Sequence, residues 1–503
     1  MQGHFTASEW AIVVAYLITV CAIGSFFYRR RSTASEYFLG GRRMRVIPVA
    51  ISLVAADMSG MTVMGVPAWS YGHNLELFLG TTSYLLAAPI VMFLFMPFYS
   101  RFKFYTGYQY LERRFDVRVR LVGSAFFLLT RSAHVAIVIY VPSIVLSLLT
   151  GLPLTGCILA MGALTTFYTT LGGMKAVIWT DVLQFSVLVT GVAAVLWAST
   201  SRVPGGVVAA YHVALEAGRF HMFNFSLDPH ALTSVWAMIL GMGTLILSTL
   251  GTDQACLQRY FTTRSLREGR ISVMLDALIV VPVSGLLFMS GFAIFAYYHA
   301  YPARLAGLPM RDAILPYFVV HELGGILAGF VIAAIFAASM AVVSAGINSL
   351  ATVTTVDFYQ RLLHHDGASV NSVLVGRLGT ISWGVAATIA ALFAGRLGPI
   401  VNAFNLVNSF LGGPTLGIFL LGMLTYRAKG EATIVGGLTG LIAVSLTAWK
   451  LHISFFYYGL MGVVVTFVVG YSLSLIGPSR DRGELKDLVF QSGNSQNSVN
   501  AHV

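Results

Sequence analysis

Residues 51–67 read ISLVAADMSGMTVMGVP, an apolar run that carries one carboxylate, Asp57. An ionised side chain in the hydrocarbon of a bilayer costs at least ~3 kcal/mol, so it is retained mainly where it faces water, a cation or a partner. Ser59 and Gly60 follow directly, and Pro67 lies two turns further on. Such residues allow a membrane helix to unwind and to present backbone carbonyls to an ion. The stretch therefore predicts a broken membrane-spanning helix with a cation or proton site beside Asp57.

The composition of the whole chain is that of an integral membrane protein. Of its 503 residues, 57% are hydrophobic and 10% are charged, and the mean hydropathy is +0.78. Many apolar segments reach the ~20 residues that a helix needs to cross a bilayer. The net charge of +11 comes from basic residues that lie mostly between these segments, so it does not indicate a nucleic-acid partner. The three cysteines lack metal-ligand spacing.

The hydropathy pattern predicts an all-α integral membrane protein with about 13 transmembrane helices. Most of the 31 Lys and Arg residues fall in alternate gaps between the helices, which by the positive-inside rule places the N-terminus outside and the C-terminus inside. The first apolar segment lacks a basic start, so we expect it to be retained as a span. The predicted spans are residues 9–28, 47–71, 77–100, 121–149, 152–171, 181–200, 232–257, 271–297, 319–350, 374–395, 400–424, 433–449 and 453–476.

We expect a single membrane domain, residues 1–476, and a polar cytoplasmic tail, residues 477–503. Within the domain, the second span (ADMSGMTVMG) and the seventh span (LGMGTLILSTLGTDQ) both mix glycine with serine and threonine. They are five spans apart and therefore enter the membrane from opposite sides, which is typical of inverted repeats with two broken helices that bind solute at the midplane. Small residues also serve ordinary helix packing in membranes, and that alternative stays open.

Other polar residues lie within or beside the apolar spans. Asp181 opens the sixth predicted span, either as a capping carboxylate or as part of a site. Arg131 and His134 form a basic pair inside the fourth span, where Arg131 can snorkel, hold a structural carboxylate or bind an anion. The ninth span is rich in small residues that suit tight packing, but it also carries three residues that can line an ion path: Ser339, Ser344 and Asn348. The sequence shows no catalytic constellation, so we do not expect an enzyme.

Four long motifs resemble the sodium/solute symporter family. GYQYLERRF follows the third span, FYTTLGGMKAVIWTDVLQ joins the fifth and sixth, GTDQACLQRYF closes the seventh and INSLATVTTVDFYQR closes the ninth. GGMKAVIWTDV is most similar to the iodide, multivitamin and monocarboxylate transporters, and ADMSGMTVMGVP is more similar to the proline permease, whose matching aspartate serves sodium binding. The resemblance implies a LeuT-like core of two inverted five-helix repeats, about residues 47–200 and 232–424. It also implies alternating access driven by a sodium gradient.

The resemblance implies a principal sodium site at the break in the second span. Its ligands would be the backbone carbonyls of Ala55, Met58 and Ala338. Asp57 lies beside them and would add a full negative charge. No other cofactor is implied.

Two hydroxyls that the family supplies to this sodium site are missing. Their positions are occupied by Ala341 and Val342, which offer no oxygen. Either Asp57 compensates for them or the coupling ion is a proton. A second cation site, known in some members, would use Asp181 and Ser344.

The family's solute pocket lies between the second, third, fourth, seventh and eleventh spans. The arginine that binds the carboxylate in sialic acid transporters aligns with His134, and Arg131 lies one helical turn away. A small organic anion is therefore one candidate solute. Besides Asp57, the residues of this chain that match the pocket region are Ser59, Thr62, Thr81, Arg131, His134, Ser248 and Gln254.

The sequence thus favours a multi-pass transporter of the cell membrane that imports a small organic solute with sodium. Its partners would be the solute, the coupling ion and the lipid bilayer, with no nucleic acid. The first alternative is a proton-coupled or cation-independent carrier of the same fold, because of Ala341 and Val342. A transport-inactive sensor is the second.

Overall fold

The computed structural model of the chain describes residues 6–28, 33–305, 313–363, 371–395, 400–451, 453–478 and 482–490. Within these ranges the chain is helical, with one isolated β-bridge and no β-strand. The helices, in chain order, are α1 (Ala7–Phe26), α2 (Ala34–Leu39), α3 (Val46–Asp57), α4 (Gly60–Gly72), α5 (Glu76–Arg101), α6 (Tyr108–Arg114), α7 (Val117–Thr150), α8 (Leu154–Ser201), α9 (Gly206–Glu216), α10 (Ala237–Thr252), α11 (Gln254–Tyr260), α12 (Leu266–Ala300), α13 (Ile314–Leu323), α14 (Gly325–Leu363), α15 (Asn371–Ala394), α16 (Ile400–Leu424), α17 (Gly430–Lys450) and α18 (Phe456–Ser474).

The predicted all-helical membrane architecture is confirmed. Among the described residues, nine helices are long and apolar enough to cross a bilayer, and α3 with α4 adds a tenth as a bent pair. The shorter apolar helices include α10 and α13. The count of about 13 spans, the orientation of the termini and the division into a domain and a tail remain predictions. Residues 491–503 of that tail lie outside the described ranges.

The second predicted span is broken where the sequence indicates. α3 ends at Asp57, α4 begins at Gly60, and the two helices are bent by 64°. Met58 and Ser59 between them have extended ψ angles of 90° and 165°. The Ser59 hydroxyl accepts the Thr62 amide as the N-cap of α4. In a continuous helix the Thr62 amide would donate to the Met58 carbonyl. Because it donates to Ser59 instead, the Met58 carbonyl can bind another partner.

The seventh predicted span is also interrupted, as expected. α10 ends at Thr252 and α11 begins at Gln254, with Asp253 extended between them (φ −76°, ψ 123°). Asp253 Oδ1 accepts the backbone amide of Ala255 at 2.7 Å and thereby caps α11. Each of the two breaks therefore carries a carboxylate, Asp57 in one and Asp253 in the other.

The fifth and sixth predicted spans are the two arms of α8, and a kink joins them where we expected a connecting segment. Gly173 departs from helical geometry (φ 59°, ψ −161°) and kinks the helix. Its positive φ favours glycine, and a Cβ at this position would lie 2.7 Å from the Tyr37 carbonyl. The change of direction is thus made at a single residue. Asp181, which we expected at a helix start, lies inside α8 and is fully buried.

α14 is the central helix of the bundle. Every residue from 331 to 353 is buried. Small residues allow its neighbours to approach closely: Ala334 lies against Gly191 of α8, and Gly346 lies against Val135 of α7. Groups held by this part of α14 are therefore shielded from the surroundings of the protein.

A cluster of charged residues joins α6, α7 and the end of α14. The fully buried Asp357 carboxylate accepts hydrogen bonds from Arg120 and Thr106. Arg120 and Arg361 also form ion pairs with Glu112 at 2.6 and 2.7 Å. Burial acts to raise the pKa of Glu112, but its hydrogen bonds to the two guanidinium groups lower that pKa below the ordinary value, so Glu112 stays ionised. The cluster closes one end of the bundle with paired charges.

Candidate functional site

The break between α3 and α4 borders a cavity of about 180 Å³. One wall is formed by the stretch of α10 from Met242 to Thr252, and other walls by α7 and α16. Charged groups and aromatic rings line it together, a combination that suits a small organic solute. The rings are those of Tyr84, Tyr108, Phe127 and Phe456, and the ionisable groups are those of Asp57, Arg131, His134 and Asp253.

Arg131 lies between the other ionisable groups of the cavity. Its Nη1 is 3.6 Å from Asp253 Oδ2 and 3.3 Å from His134 Nδ1. The distance to Asp253 exceeds that of a normal hydrogen bond, so the ion pair is loose. Arg131 Nε is buried and has no hydrogen-bond partner among the described residues. The guanidinium therefore retains donor capacity towards a ligand.

Asp57 carries a charge that the surrounding protein does not pair directly. Its half-buried carboxylate forms no hydrogen bond or ion pair with any residue in the described ranges, although Arg131 acts on it through space. It lies at the C-terminal end of α3, where the helix dipole is negative and offers a carboxylate no stabilisation. This position favours a bound cation next to Asp57.

α14 runs alongside the break. A Cβ on Gly60 would lie 2.1 Å from Ser339 Oγ, and Ala345 packs in one small buried cluster with Ala56 and Ala255. The stretch of α14 around Ser339 therefore lies next to the unwound backbone. This arrangement brings the predicted carbonyl ligands into one region: Ala55, Met58 and Ala338.

A hydroxyl group is present at this break, although the two positions at which the family supplies sodium-binding hydroxyls lack one in this chain. Ala341 and Val342 are fully buried on α14 and contribute only apolar side chains. Ser339 Oγ, in contrast, is buried beside Gly60 and finds no hydrogen-bond partner in the described part of the chain. A buried hydroxyl is normally satisfied, so one without a partner is a candidate ligand for a bound group.

The cavity brings together part of the predicted solute site. Arg131, His134 and Ser248 line it together with Asp57. Ser248 Oγ also donates to the Gly412 carbonyl at 2.8 Å, which joins α10 to α16.

Four other predicted solute residues do not line the cavity. Ser59 caps α4 and Thr62 lies beside it. Thr81 Oγ1 lies 3.5 Å from Ser284 Oγ of α12. Gln254 is fully buried, and both polar groups of its side chain bind backbone between α5 and α6. The side-chain nitrogen donates to a carbonyl, and the side-chain oxygen accepts the N–H of a glycine. The four residues are Ser59, Thr62, Thr81 and Gln254.

Asp181 is held by an arginine. Its Oδ2 accepts hydrogen bonds from Ser52 Oγ at 2.5 Å and from Arg259 Nη2 at 2.8 Å, and both charged side chains are buried. Ser344 Oγ donates to the Ala341 carbonyl of its own helix. Arg259 thus balances the Asp181 carboxylate, while Asp181 Oδ1 is buried without a hydrogen-bond partner among the described residues. The second cation site at Asp181 and Ser344 remains a prediction.

Sequence reasoning missed two charged residues of this region, Asp253 and Arg259. Both belong to the GTDQACLQRYF motif. Asp253 could have been found from the sequence, because it is an ionisable residue inside an apolar span. Arg259 lies just beyond the predicted seventh span, residues 232–257, yet it is 1% exposed and binds Asp181.

Comparison with known proteins identifies relatives over nearly the whole chain. The family model that describes the sodium:solute symporter family matches residues 37–440. The sodium/sialic acid symporter NanT of Aliivibrio fischeri is 30% identical over 93% of both chains. The sodium-coupled monocarboxylate transporter 2 of Danio rerio is 32% identical over 89% of this chain and 72% of its own length.

A solved structure shares the fold as well. It is the substrate-bound outward-open state of a Na+-coupled sialic acid symporter, with a TM-score of 0.88 and 29% identity. The match covers 95% of this chain and 99% of the other.

Proposed function

The chain belongs to the sodium:solute symporter family, and from this we propose that it imports a small organic solute together with sodium by alternating access. It is a sodium-coupled solute symporter, a multi-pass protein of the plasma membrane and not an enzyme. The observation that carries the proposal is the cavity at the broken second span, where Asp57 lies near Arg131 and Asp253. The paired breaks, five predicted spans apart, support a core of two inverted repeats.

The proposal is tested by uptake into proteoliposomes with an imposed inward sodium gradient. We expect a radiolabelled small carboxylate from a panel of monocarboxylates and sialic acid to accumulate only with sodium, and not with choline. Accumulation of a solute at equal rates in both salts would contradict sodium coupling.

We place the coupling sodium at the break beside α14. Unwound backbone carbonyls are the groups that coordinate sodium in transporters with broken helices. Ser339 Oγ supplies a further oxygen without a protein partner in the described ranges, and Asp57 supplies the charge. The sodium-coupled relatives favour sodium over a proton as the driving ion. The proposed ligands are the carbonyls of Ala55, Met58 and Ala338 with the Ser339 hydroxyl.

Restoring the two missing hydroxyls with Ala341→Ser and Val342→Ser is expected to lower the sodium concentration that gives half-maximal uptake, by roughly tenfold. A hydrogen bond or ligand contact to a charged group contributes about 1.5–3 kcal/mol, enough for such a change. The matched control is Ala351→Ser, a hydroxyl two to three turns further along α14. An unchanged sodium dependence in the double variant, or an equal change in the control, would show that sodium binds elsewhere.

We propose that Arg131 receives the carboxylate of an anionic solute. The loose contact with Asp253 and the unbonded Nε leave donors on the guanidinium. His134 lies one turn away on α7 and lines the same cavity. Sodium would then balance Asp57, and Arg131 would be shared between the solute carboxylate and Asp253.

Asp253→Asn is expected to lower the KM for a carboxylate solute several-fold. The substitution removes the carboxylate that competes for Arg131, while asparagine still caps α11. The measurement is initial uptake at saturating sodium over a range of solute concentrations. The companion variant Arg131→Gln should raise the same KM. A KM that is higher in Asp253→Asn would mean that this carboxylate itself binds the solute.

The proposed topology places the cavity in the outer half of the membrane. With the N-terminus outside, the start of α18 and the first part of α10 are external, and Phe456 and Met242 line the cavity there. The charged cluster around Asp357 and the Asp181–Arg259 pair then close the cytoplasmic half. We therefore assign the chain an outward-facing conformation.

A further inference from the structure

Asp276 is a buried carboxyl group that the proposed sodium and solute sites do not use. It lies in the third turn of α12 and is 1% exposed. It is the one acidic or basic residue between Arg270 and His299. Ionisable residues inside membrane helices are costly and mark ion or proton pathways more often than structural positions.

The carboxyl group faces α3. Ser272, one turn earlier on the same helix face, has its Oγ 3.2 Å from the Val46 carbonyl at the start of α3. Further along, a Cβ on Gly291 would lie 2.3 Å from the Pro67 carbonyl of α4. α12 therefore runs in the same direction as the broken span, and Asp276 lies at its interface with α3, on the side of the break away from α4.

Neither oxygen of Asp276 has a hydrogen-bond donor among the residues that the structure describes, and both atoms are buried. A buried carboxylate that is neither paired nor hydrogen-bonded neutralises by taking up a proton. A metal ion would need several oxygen ligands at this place, but the Ser272 hydroxyl is already directed to backbone carbonyls. The geometry therefore favours a proton over a metal ion.

The charged groups around Asp276 do not offer it a free cation. Asp57 of α3 and Arg259 of α11 act on it through space. Arg259 already donates to Asp181 of α8, to Ser52 and to a backbone carbonyl.

The other charged residues near α12 lie away from this position. Arg270 at its start donates to the Met92 carbonyl of α5. At the opposite end of α12, Arg219 stacks on Phe295. Phe288 of α12 contacts Phe78 of α5, two residues after Glu76 in the sequence.

We infer that Asp276 is a proton-binding site that is occupied in this conformation and empties during the transport cycle. When α3 moves relative to α12 and water reaches the interface, the O–H bond of the carboxylic acid breaks and the proton passes to water. The carboxylate left behind is stabilised by the water that reaches it. The protonated state itself does not depend on the proposed function, and only its emptying rests on alternating access.

The protonated state is tested by infrared spectroscopy of the purified protein at neutral pH. We expect the wild type to show the carbonyl stretch of a protonated carboxyl group, and Asp276→Asn to lose it. The control Glu431→Gln removes a carboxylate that is largely exposed and should leave the band unchanged. If Asp276→Asn fails to fold, Asp276→Glu should shift the band. A band that neither Asp276 variant alters would overturn the inference.

The emptying of the site is tested by sodium-driven uptake from mildly acidic to alkaline pH. Rebinding of the proton limits the wild-type cycle at alkaline pH, so wild-type uptake should fall there. Asp276→Asn stays neutral and should lose this fall while still transporting. A fall of equal size in Asp276→Asn would refute emptying, and failure of sodium coupling in the wild type would instead refute the proposed function.

Discussion

Asp57→Asn is expected to abolish sodium-driven uptake, reducing it to the level of empty liposomes. The carboxylate lies at the break in the cavity wall and is not paired with any described residue. A full charge about 4 Å from a cation contributes roughly 4 kcal/mol at an effective dielectric constant of 20, which corresponds to an affinity change of over a hundredfold. Asparagine keeps the size of the side chain but removes its charge, and with it this attraction for the cation.

The control for this prediction is Asp228→Asn. Asp228 is exposed and pairs with the equally exposed His230, so its removal should leave uptake unchanged. Both variants should be produced in amounts close to wild type, because neither breaks a buried contact. Uptake by Asp57→Asn within twofold of wild type would exclude Asp57 from the cation site.

Arg259→Met should destabilise the folded protein by about 3–5 kcal/mol, because removal of one partner leaves a buried charge without compensation. Asp181 and Arg259 have side-chain exposures of 0% and 1%, and their oxygen and nitrogen are 2.8 Å apart. The loss also removes hydrogen bonds to Ser52 at 2.8 and 3.0 Å. The measurement is thermal unfolding of the purified variant in detergent.

The double variant Arg259→Met with Asp181→Asn should recover a large part of this loss, since a buried ion pair replaced on both sides can be nearly neutral. Arg118→Met is the matched control. The Arg118 side chain is 60% exposed where it forms its ion pairs. Such surface pairs contribute ~0–1 kcal/mol to the free energy of unfolding. If Arg259→Met alone is as stable as the wild type, Arg259 is not needed to stabilise the buried Asp181 carboxylate.

The broken second span could be predicted because its signals are local. Asp57, Ser59 and Gly60 are consecutive or nearly so in an apolar run, and the helix unwinds at that point. The helical membrane fold follows from segment lengths and hydropathy for the same reason. The kink at Gly173 was missed because a glycine in a helix pattern indicates a loop as readily as a bend.

The partners of the site residues could not be predicted, since they come from distant parts of the chain. Arg131 meets Asp253, and Asp181 meets Arg259, only when the bundle has assembled. Without that geometry, the arginine that pairs with Asp181 cannot be named. The same holds for Gln254, a predicted solute residue whose side chain binds backbone between α5 and α6 in the folded protein. Pairing across helices is a tertiary property that hydropathy does not encode.

The most direct test of the central claim is the sodium dependence of the Tm of the purified protein, for the wild type and Asp57→Asn. A ligand that binds only the folded state raises the Tm by mass action. We predict that the Tm of the wild type rises with sodium at constant ionic strength, with choline as the balancing cation, and that the Tm of Asp57→Asn stays constant. A wild type that does not respond to sodium, or a variant that responds equally, would contradict a sodium site at Asp57.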